Sequence, residues 1–430
     1  MIFDADSHVM EVEDWLPGYA EPDVREKLGS LGLEKAGKDA ATLMASLPGL
    51  WERQRSEQVS ADVIAGPKGW RAPGALDPGV RSRVLDALGI DAQLVFPTFS
   101  LGQFARSDDP DVRYGGTRAL NRAMAEFCGA DERLLAVGYL PLNEPGRAIE
   151  ELDAALELGV AAVWLPSEAP GTFSPAHVDL EPVWARLAEA GVPFVLHVGG
   201  GKLLPREFHQ NGRARPADWL GGGENLRGKD FPVLHHSPER FLACLVLDGV
   251  FHRHPQLRGA AIEQGASWVP GMLRNLDHAH RSFSKFEPLL RELELKPSEY
   301  IRRQVRFTPF AFEDTAWLIE QCGPELFMFS TDYPHPEGGR RPFEIFGDAL
   351  AGVRRRRARS VLLAQRSRAF RAGLTWRGSW RSRRSTWLPL RLARSATRSY
   401  RVPSRPATSC RPSASSPCSS ASTGPPSARS

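Results

Sequence analysis

Near the start of the chain, in Phe3-Asp4-Ala5-Asp6-Ser7-His8, a carboxylate and an imidazole stand two residues apart. If this stretch is a strand, Asp6 and His8 point to one face, because side chains alternate along extended backbone. A carboxylate and an imidazole aimed at one point form half of a divalent-metal site. His197 closes the apolar run Pro193-Phe194-Val195-Leu196-His197, and Asp332 closes Phe327-Met328-Phe329-Ser330-Thr331-Asp332. Taken singly, each has an ordinary reading. Asp-x-His recurs by chance, a histidine ending an apolar run is commonly a core residue, and an aspartate there is commonly a cap or turn residue. Together they put metal-ligand types at the ends of three apolar runs.

The elements that must position them alternate. Short apolar runs that read as buried strands lie at 2–6, 93–97, 134–140, 161–165, 194–198, 257–263, 304–308 and 326–331. Helical periodicity fills several of the gaps, as at 147–158 and 181–190. Gly159 and Gly191 follow those two segments, where a helix commonly ends on a left-handed glycine. Eight strands separated by helices predict a parallel α/β barrel of the TIM type, (β/α)8. The ligand types then sit at the C-terminal ends of the first, fifth and eighth strands, around one mouth. A doubly wound open sheet is the alternative, but no glycine-rich phosphate loop follows the first strand. Long insertions follow the first strand (11–80) and the fifth (199–255), and are expected to shape the mouth.

The motifs Asp4-Ala5-Asp6-Ser7-His8, Phe194-Val195-Leu196-His197-Val198 and Phe329-Ser330-Thr331-Asp332-Tyr333-Pro334-His335 resemble the amidohydrolase-related family, which includes metal-dependent decarboxylases of aromatic acids. Gly265-Ala266-Ser267-Trp268-Val269-Pro270 followed by Leu273-Arg274-Asn275-Leu276-Asp277 is similar to that family as well. The resemblance spans Met1 to about Val353. It implies a TIM-type barrel holding one divalent metal ion, zinc or manganese, on Asp6, His8, His197 and Asp332, with Asp332 also handling protons. One position departs. Many members carry Ser-His-Gly-Gly after the sixth strand, with a catalytic histidine; here the stretch is Glu263-Gln264-Gly265-Ala266, and glutamine cannot carry a proton. Glu263, at the end of the sixth predicted strand, is one replacement as acid or base, and its ordinary reading is a carboxylate paired with arginine. His235, next to His236 in the second insertion, is another, and surface placement is its ordinary reading. His335, three residues after Asp332, is expected to bind substrate or orient that carboxylate. His252, His254, His278 and His280 read as structural.

Two chemistries fit such a cage: hydrolysis by a metal-activated water, or loss of carbon dioxide from a metal-chelated acid. The expected activity is that of a hydrolase or carboxy-lyase acting on a small organic acid, ester or amide. A homodimer is one assembly open to it.

Composition bounds the rest. Of 430 residues, 42% are hydrophobic and 25% charged, ordinary values for a soluble globular protein. No run approaches the ~20 apolar residues of a membrane helix, and the first residues lack a signal-peptide pattern, so a cytoplasmic enzyme is expected. Cys128, Cys244, Cys322, Cys410 and Cys418 show no paired metal spacing and read as idle thiols. The net charge of +4 conceals two parts: 354–430 holds 19 Arg and no Lys, Asp or Glu, which leaves 1–353 at about −15. An acidic body argues against nucleic acid as the working partner. The expected division is a barrel over 1–375, closed by a helix around 360–374, and a disordered Arg-rich tail over 376–430. Such a tail is also what a shifted reading frame in GC-rich DNA would encode. A damaged, non-catalytic barrel and an Arg-tailed nucleic-acid binder are the competing readings.

Overall fold

The structure, a computed structural model, describes residues 2–32, 40–213 and 228–350. The expected tail, its boundary at 375 and the closing helix lie outside the described residues, as do Cys410 and Cys418.

Seven strands form one parallel sheet in sequence order: β1 (Phe3–Asp4), β2 (Ala92–Val95), β3 (Leu134–Tyr139), β4 (Ala162–Trp164), β5 (Phe194–His197), β6 (Gly259–Ile262) and β7 (Val305–Phe307). Each coincides with an apolar run in the sequence. The eighth run differs. Residues 327–329 form no ladder, only a bridge from Phe327 to Phe307. Met328 N–H donates to Phe307 O at 2.8 Å, and Ala5 N–H donates to Phe329 O at 2.9 Å. This stretch therefore lies between β7 and β1, and the curled sheet is consistent with the TIM type. Its pairing stops early because the backbone turns sharply: Asp332 has φ 53°.

Helices separate the strands, among them Pro78–Leu88, Pro110–Cys128, Pro145–Glu157, Glu181–Ala190, His236–Leu247, Val269–Phe283 and Thr315–Cys322. Proline stands in the first turn of the first four, where its missing N–H costs nothing. Glu181–Ala190 ends on Gly191 at φ 65°, the left-handed cap expected there. The first connection, between β1 and β2, also carries the helix Ala40–Ser56 and several short turns. No helix among the described residues is long and apolar enough to cross a membrane.

Alternation on β5 and β6 sorts side chains between two apolar clusters. Phe194, Leu196 and Ala261 pack with Trp184, Phe241 and Phe251 of the helical layer. Val195, Ala260 and Ile262 fall in the other cluster, with Trp164 and Met328. His197 shares the face of Val195, and its ring meets Phe96 (centroids 4.4 Å apart) and Trp164 (4.9 Å). Cys128 and Cys322 are buried and Cys244 is half-buried, all free thiols.

Candidate metal centre

Asp6, His8, His197 and Glu263 converge at the C-terminal ends of the strands, all buried, with one donor atom from each within 4.8 Å of every other. Asp6 Oδ1 lies 3.3 Å from His8 Nε2 and 3.2 Å from His197 Nε2. Glu263 Oε2 lies 3.4 Å from His197 Nε2. Asp332 approaches the same His8 nitrogen, with Oδ1 3.5 Å from Nε2, and forms a second group with His8 and His335.

The far ring nitrogens decide what faces the centre. His8 Nδ1 is 3.2 Å from the Pro97 carbonyl, and His197 Nδ1 is 2.9 Å from that of Val198. A carbonyl only accepts, so both Nδ1 atoms carry hydrogen, and each neutral ring turns an Nε2 lone pair inward. Those lone pairs face carboxylate oxygens at 3.2–3.5 Å. Acceptors so close repel one another unless a cation or proton lies among them. The donor set therefore fits a divalent metal ion, and the backbone bonds to Nδ1 are the supports such ligands use.

Burial pushes the Asp6 carboxyl up, while the His197 and His8 rings beside it act the other way and hold it below the ordinary carboxylate value. Burial, with the His335 charge next, brings His8 down to about 4, so its imidazole is neutral at ordinary pH.

Supports invisible as such in the sequence hold the strand ends. Asp4, on the face of Asp6 and His8, accepts hydrogen bonds from Thr331 N (2.8 Å), Thr331 Oγ1 (2.5 Å) and Gln93 Nε2 (2.7 Å). Burial nonetheless raises its carboxyl to about 7 against those bonds. Arg81, fully buried, donates to the carbonyls of His8 (2.6 Å) and Gly74 (2.9 Å) and sits over the Tyr333 ring. Glu313 accepts from the backbone N–H of Phe310 (2.7 Å), Ala266 (3.0 Å) and Ser267 (2.8 Å), fixing the turn after Glu263. Only the i, i+2 spacing of Asp4 with Asp6 gave a prior signal for any of these.

His335 is buried beside Asp332, with Nδ1 3.1 Å from Asp332 Oδ1, and its ring stacks on His8 at 3.9 Å. Its Nε2 is 3.0 Å from Thr98 Oγ1, whose own hydrogen goes to the Val9 carbonyl at 2.7 Å. His235 stands apart from this cluster: its ring stacks on Trp268, and its Nε2 faces Glu239 at 3.6 Å. Gln264 is buried. Of the histidines read as structural, His252 meets Tyr300 Oη (3.0 Å), His254 meets Glu181 (2.6 Å) and His280 meets the Leu290 carbonyl (2.8 Å).

The parallel α/β sheet gathers carboxylates and imidazoles at its strand ends, where they could hold a metal ion. The chain belongs to the amidohydrolase family, whose model matches residues 3–362. It is an enzyme of that family. Solved structures agree on the fold. An amidohydrolase from Mycobacterium avium subsp. paratuberculosis is 24% identical, with TM-score 0.63, covering 84% of this chain and 96% of its own. The 5-carboxyvanillate decarboxylase of Sphingomonas paucimobilis is 19% identical, with TM-score 0.53, covering 86% and 98%. A dihydroxybenzoic acid decarboxylase from Polaromonas sp. JS666, solved with bound manganese and 2-nitroresorcinol, is 17% identical, with TM-score 0.55, covering 86% and 96%. No curated protein matches.

Proposed function

We propose that this chain is a metal-dependent carboxy-lyase or hydrolase acting on a small organic acid, ester or amide, built on a (β/α)8 barrel closed by residues 327–329. The observation that carries the reading is the inward convergence of His8 and His197 lone pairs on the Asp6 carboxylate at 3.2–3.3 Å. Asp6, His8 and His197 are the core donors for one zinc or manganese ion, and Asp332 reaches the same centre beside His8. When bound, such an ion polarises the oxygens of a chelated carboxylate or carbonyl.

The chain's own residues supply the proton chemistry. Because Thr98 gives its hydrogen to Val9, its oxygen accepts from His335, so His335 Nε2 carries hydrogen. Its Nδ1 then faces Asp332 Oδ1 at 3.1 Å, a contact that needs a proton between the two atoms. Asp332 and His335 can share a proton there, beside the centre. In decarboxylation, this proton goes to the carbon bearing the carboxylate as the carbon–carbon bond breaks, and carbon dioxide leaves. In hydrolysis, Asp332 takes up a proton from water instead. Decarboxylation is favoured because two structural neighbours are decarboxylases of aromatic acids.

The test is turnover of metal-loaded protein on hydroxybenzoates, lactones and simple esters. General acid–base catalysis is worth ~10²–10⁴-fold, so Asp332→Asn should lose about that much. Near-normal turnover by that variant with metal bound would refute both routes.

A further inference from the structure

We infer that Lys68 is a substrate-binding residue, its ammonium receiving an anionic oxygen beside the candidate metal centre, and that the substrate is therefore an acid, not an ester or amide. This rests on the enzyme reading above and narrows its substrate class.

The placement of the nitrogen comes first. An ordinary surface lysine lays its stem along the protein and keeps its ammonium in water. Lys68 does the reverse. The residue is half-buried, and its Nζ is cut off from water, with no hydrogen-bond partner among the described residues. An ammonium carries three donors, and all three are open. The Tyr333 ring, its centre 5.5 Å from Nζ, compensates the charge only in part. Burial brings the amine from 10.5 down only to about 8, so it is charged at pH 7. A buried charge without a partner is costly to keep, and one in a native fold calls for a reason. A ligand that supplies the missing acceptor is such a reason.

The surroundings say where that ligand sits. Lys68 lies in the first insertion, between the turns Ala61–Ala65 and Gly69–Arg71. The N–H of Gly69 donates to the Pro334 carbonyl at 2.8 Å, tying this segment to the loop that carries Asp332 and His335. A Cβ on Gly69 would lie 3.8 Å from Met10 Cε, and Met10 Sδ is 3.8 Å from Thr98 Oγ1, the partner of His335. Among the charges acting on the ammonium, that of Asp332 is the strongest, and it attracts. The cation thus stands on the Asp332 side of the centre without a hydrogen bond to that carboxylate.

Chemistry selects the ligand. Asp6 and Asp332 by themselves repel an acid. An ammonium on the Asp332 side offsets that repulsion and offers donors to a carboxylate or phenolate oxygen. A neutral ester or amide leaves the charge unneutralised, so the same residue selects against it.

The test is binding to full-length protein, with and without added zinc or manganese. Benzoate is the probe, and benzamide, of the same shape without the charge, is the control; isothermal titration gives both affinities. A hydrogen bond to a charged group contributes ~10–100-fold in affinity, so wild type should hold benzoate at least about tenfold tighter than benzamide. Lys68→Met should lower benzoate affinity by about that factor and leave benzamide within a few-fold. Circular dichroism checks its fold, and Lys68→Gln carries the same test should Lys68→Met not fold. Benzoate held no tighter than benzamide by wild type overturns the assignment. So does unchanged benzoate affinity in the folded variant, or an equal fall for both probes, which marks a packing role. Metal uptake measured on the same samples keeps the two readings apart. A wild type that takes up neither metal overturns the metal-dependent reading, whereas normal uptake with no loss of benzoate in the variant overturns the role of Lys68 alone.

Discussion

Thr98→Val separates the proton relay from simple packing, because valine keeps the shape and removes the hydroxyl. Two hydrogen bonds disappear: the 2.7 Å donation to the Val9 carbonyl and the 3.0 Å acceptance from His335 Nε2. A neutral bond of the first kind contributes about 1 kcal/mol, and one from a ring sharing a proton with Asp332 about 1.5–3 kcal/mol. The expected destabilisation is thus about 2–4 kcal/mol. For a chain of this size, with roughly 2 °C per kcal/mol, the melting temperature should fall by about 4–8 °C. Thr98→Ser keeps the hydroxyl and should stay within about 1 kcal/mol of wild type. The sharper readout is 15N NMR of histidine-labelled protein. Wild-type His335 should carry hydrogen on Nε2, and Thr98→Val should release that constraint and shift the ring toward the Nδ1–H form. If wild-type His335 Nε2 lacks hydrogen, or Thr98→Val melts like Thr98→Ser, the donor accounting at His335 is wrong.

Lys68 tests a cost the fold carries near the site. Its ammonium makes no hydrogen bond among the described residues, lies 5.5 Å from the Tyr333 ring centre, and is brought by burial from 10.5 down to about 8. At pH 7 it is charged in both states, and the folded state bears a penalty of about 3 kcal/mol, less ~0.5–1 kcal/mol returned by the ring. Lys68→Met should therefore be the more stable protein at pH 7 by about 2 kcal/mol. As pH rises from 8 through 10.5 the folded amine loses its proton first, so the advantage should shrink; an advantage constant with pH refutes the assignment. Metal removal should lower the melting temperature, and readdition should restore about 1.4 kcal/mol per tenfold metal above Kd; stability independent of metal concentration would contradict a resident ion. A Cβ at Gly338 would lie 2.0 Å from Thr331 O and 2.9 Å from Asp332 Cβ. Gly338→Ala should cost about 1–3 kcal/mol by overpacking and displace Asp332, lowering turnover more than metal affinity; equal loss of both would place Asp332 among the essential ligands.

Seven strands were legible because each is a short apolar run buried on both sides, and such runs need no long-range information to be recognised. The eighth run was legible as apolar but not as a bridge rather than a ladder, since that depends on Asp332 turning to φ 53° against the Asp6 carbonyl. Asp6 and His8 could be assigned to one face from period-two alternation alone. His197 was visible as a polar residue ending a buried run, and the family resemblance placed it with Asp332.

The converse lesson comes from Glu263 and His235. Glu263 reads from sequence as an acid or base at the end of the sixth predicted strand, but the left-handed backbone that brings it to His197, held by Thr308 just past β7, has no local signal. His235 reads from sequence as a plausible proton carrier, and tertiary packing stacks it on Trp268. What the sequence by itself determined is the set of elements and the chemical types at their ends, because hydrophobic period and residue identity are local properties. What only the tertiary structure decided is which carboxylate meets which imidazole. Those separations span up to 324 positions along the chain, as between His8 and Asp332, and depend on turns and hydrogen bonds that no local pattern encodes.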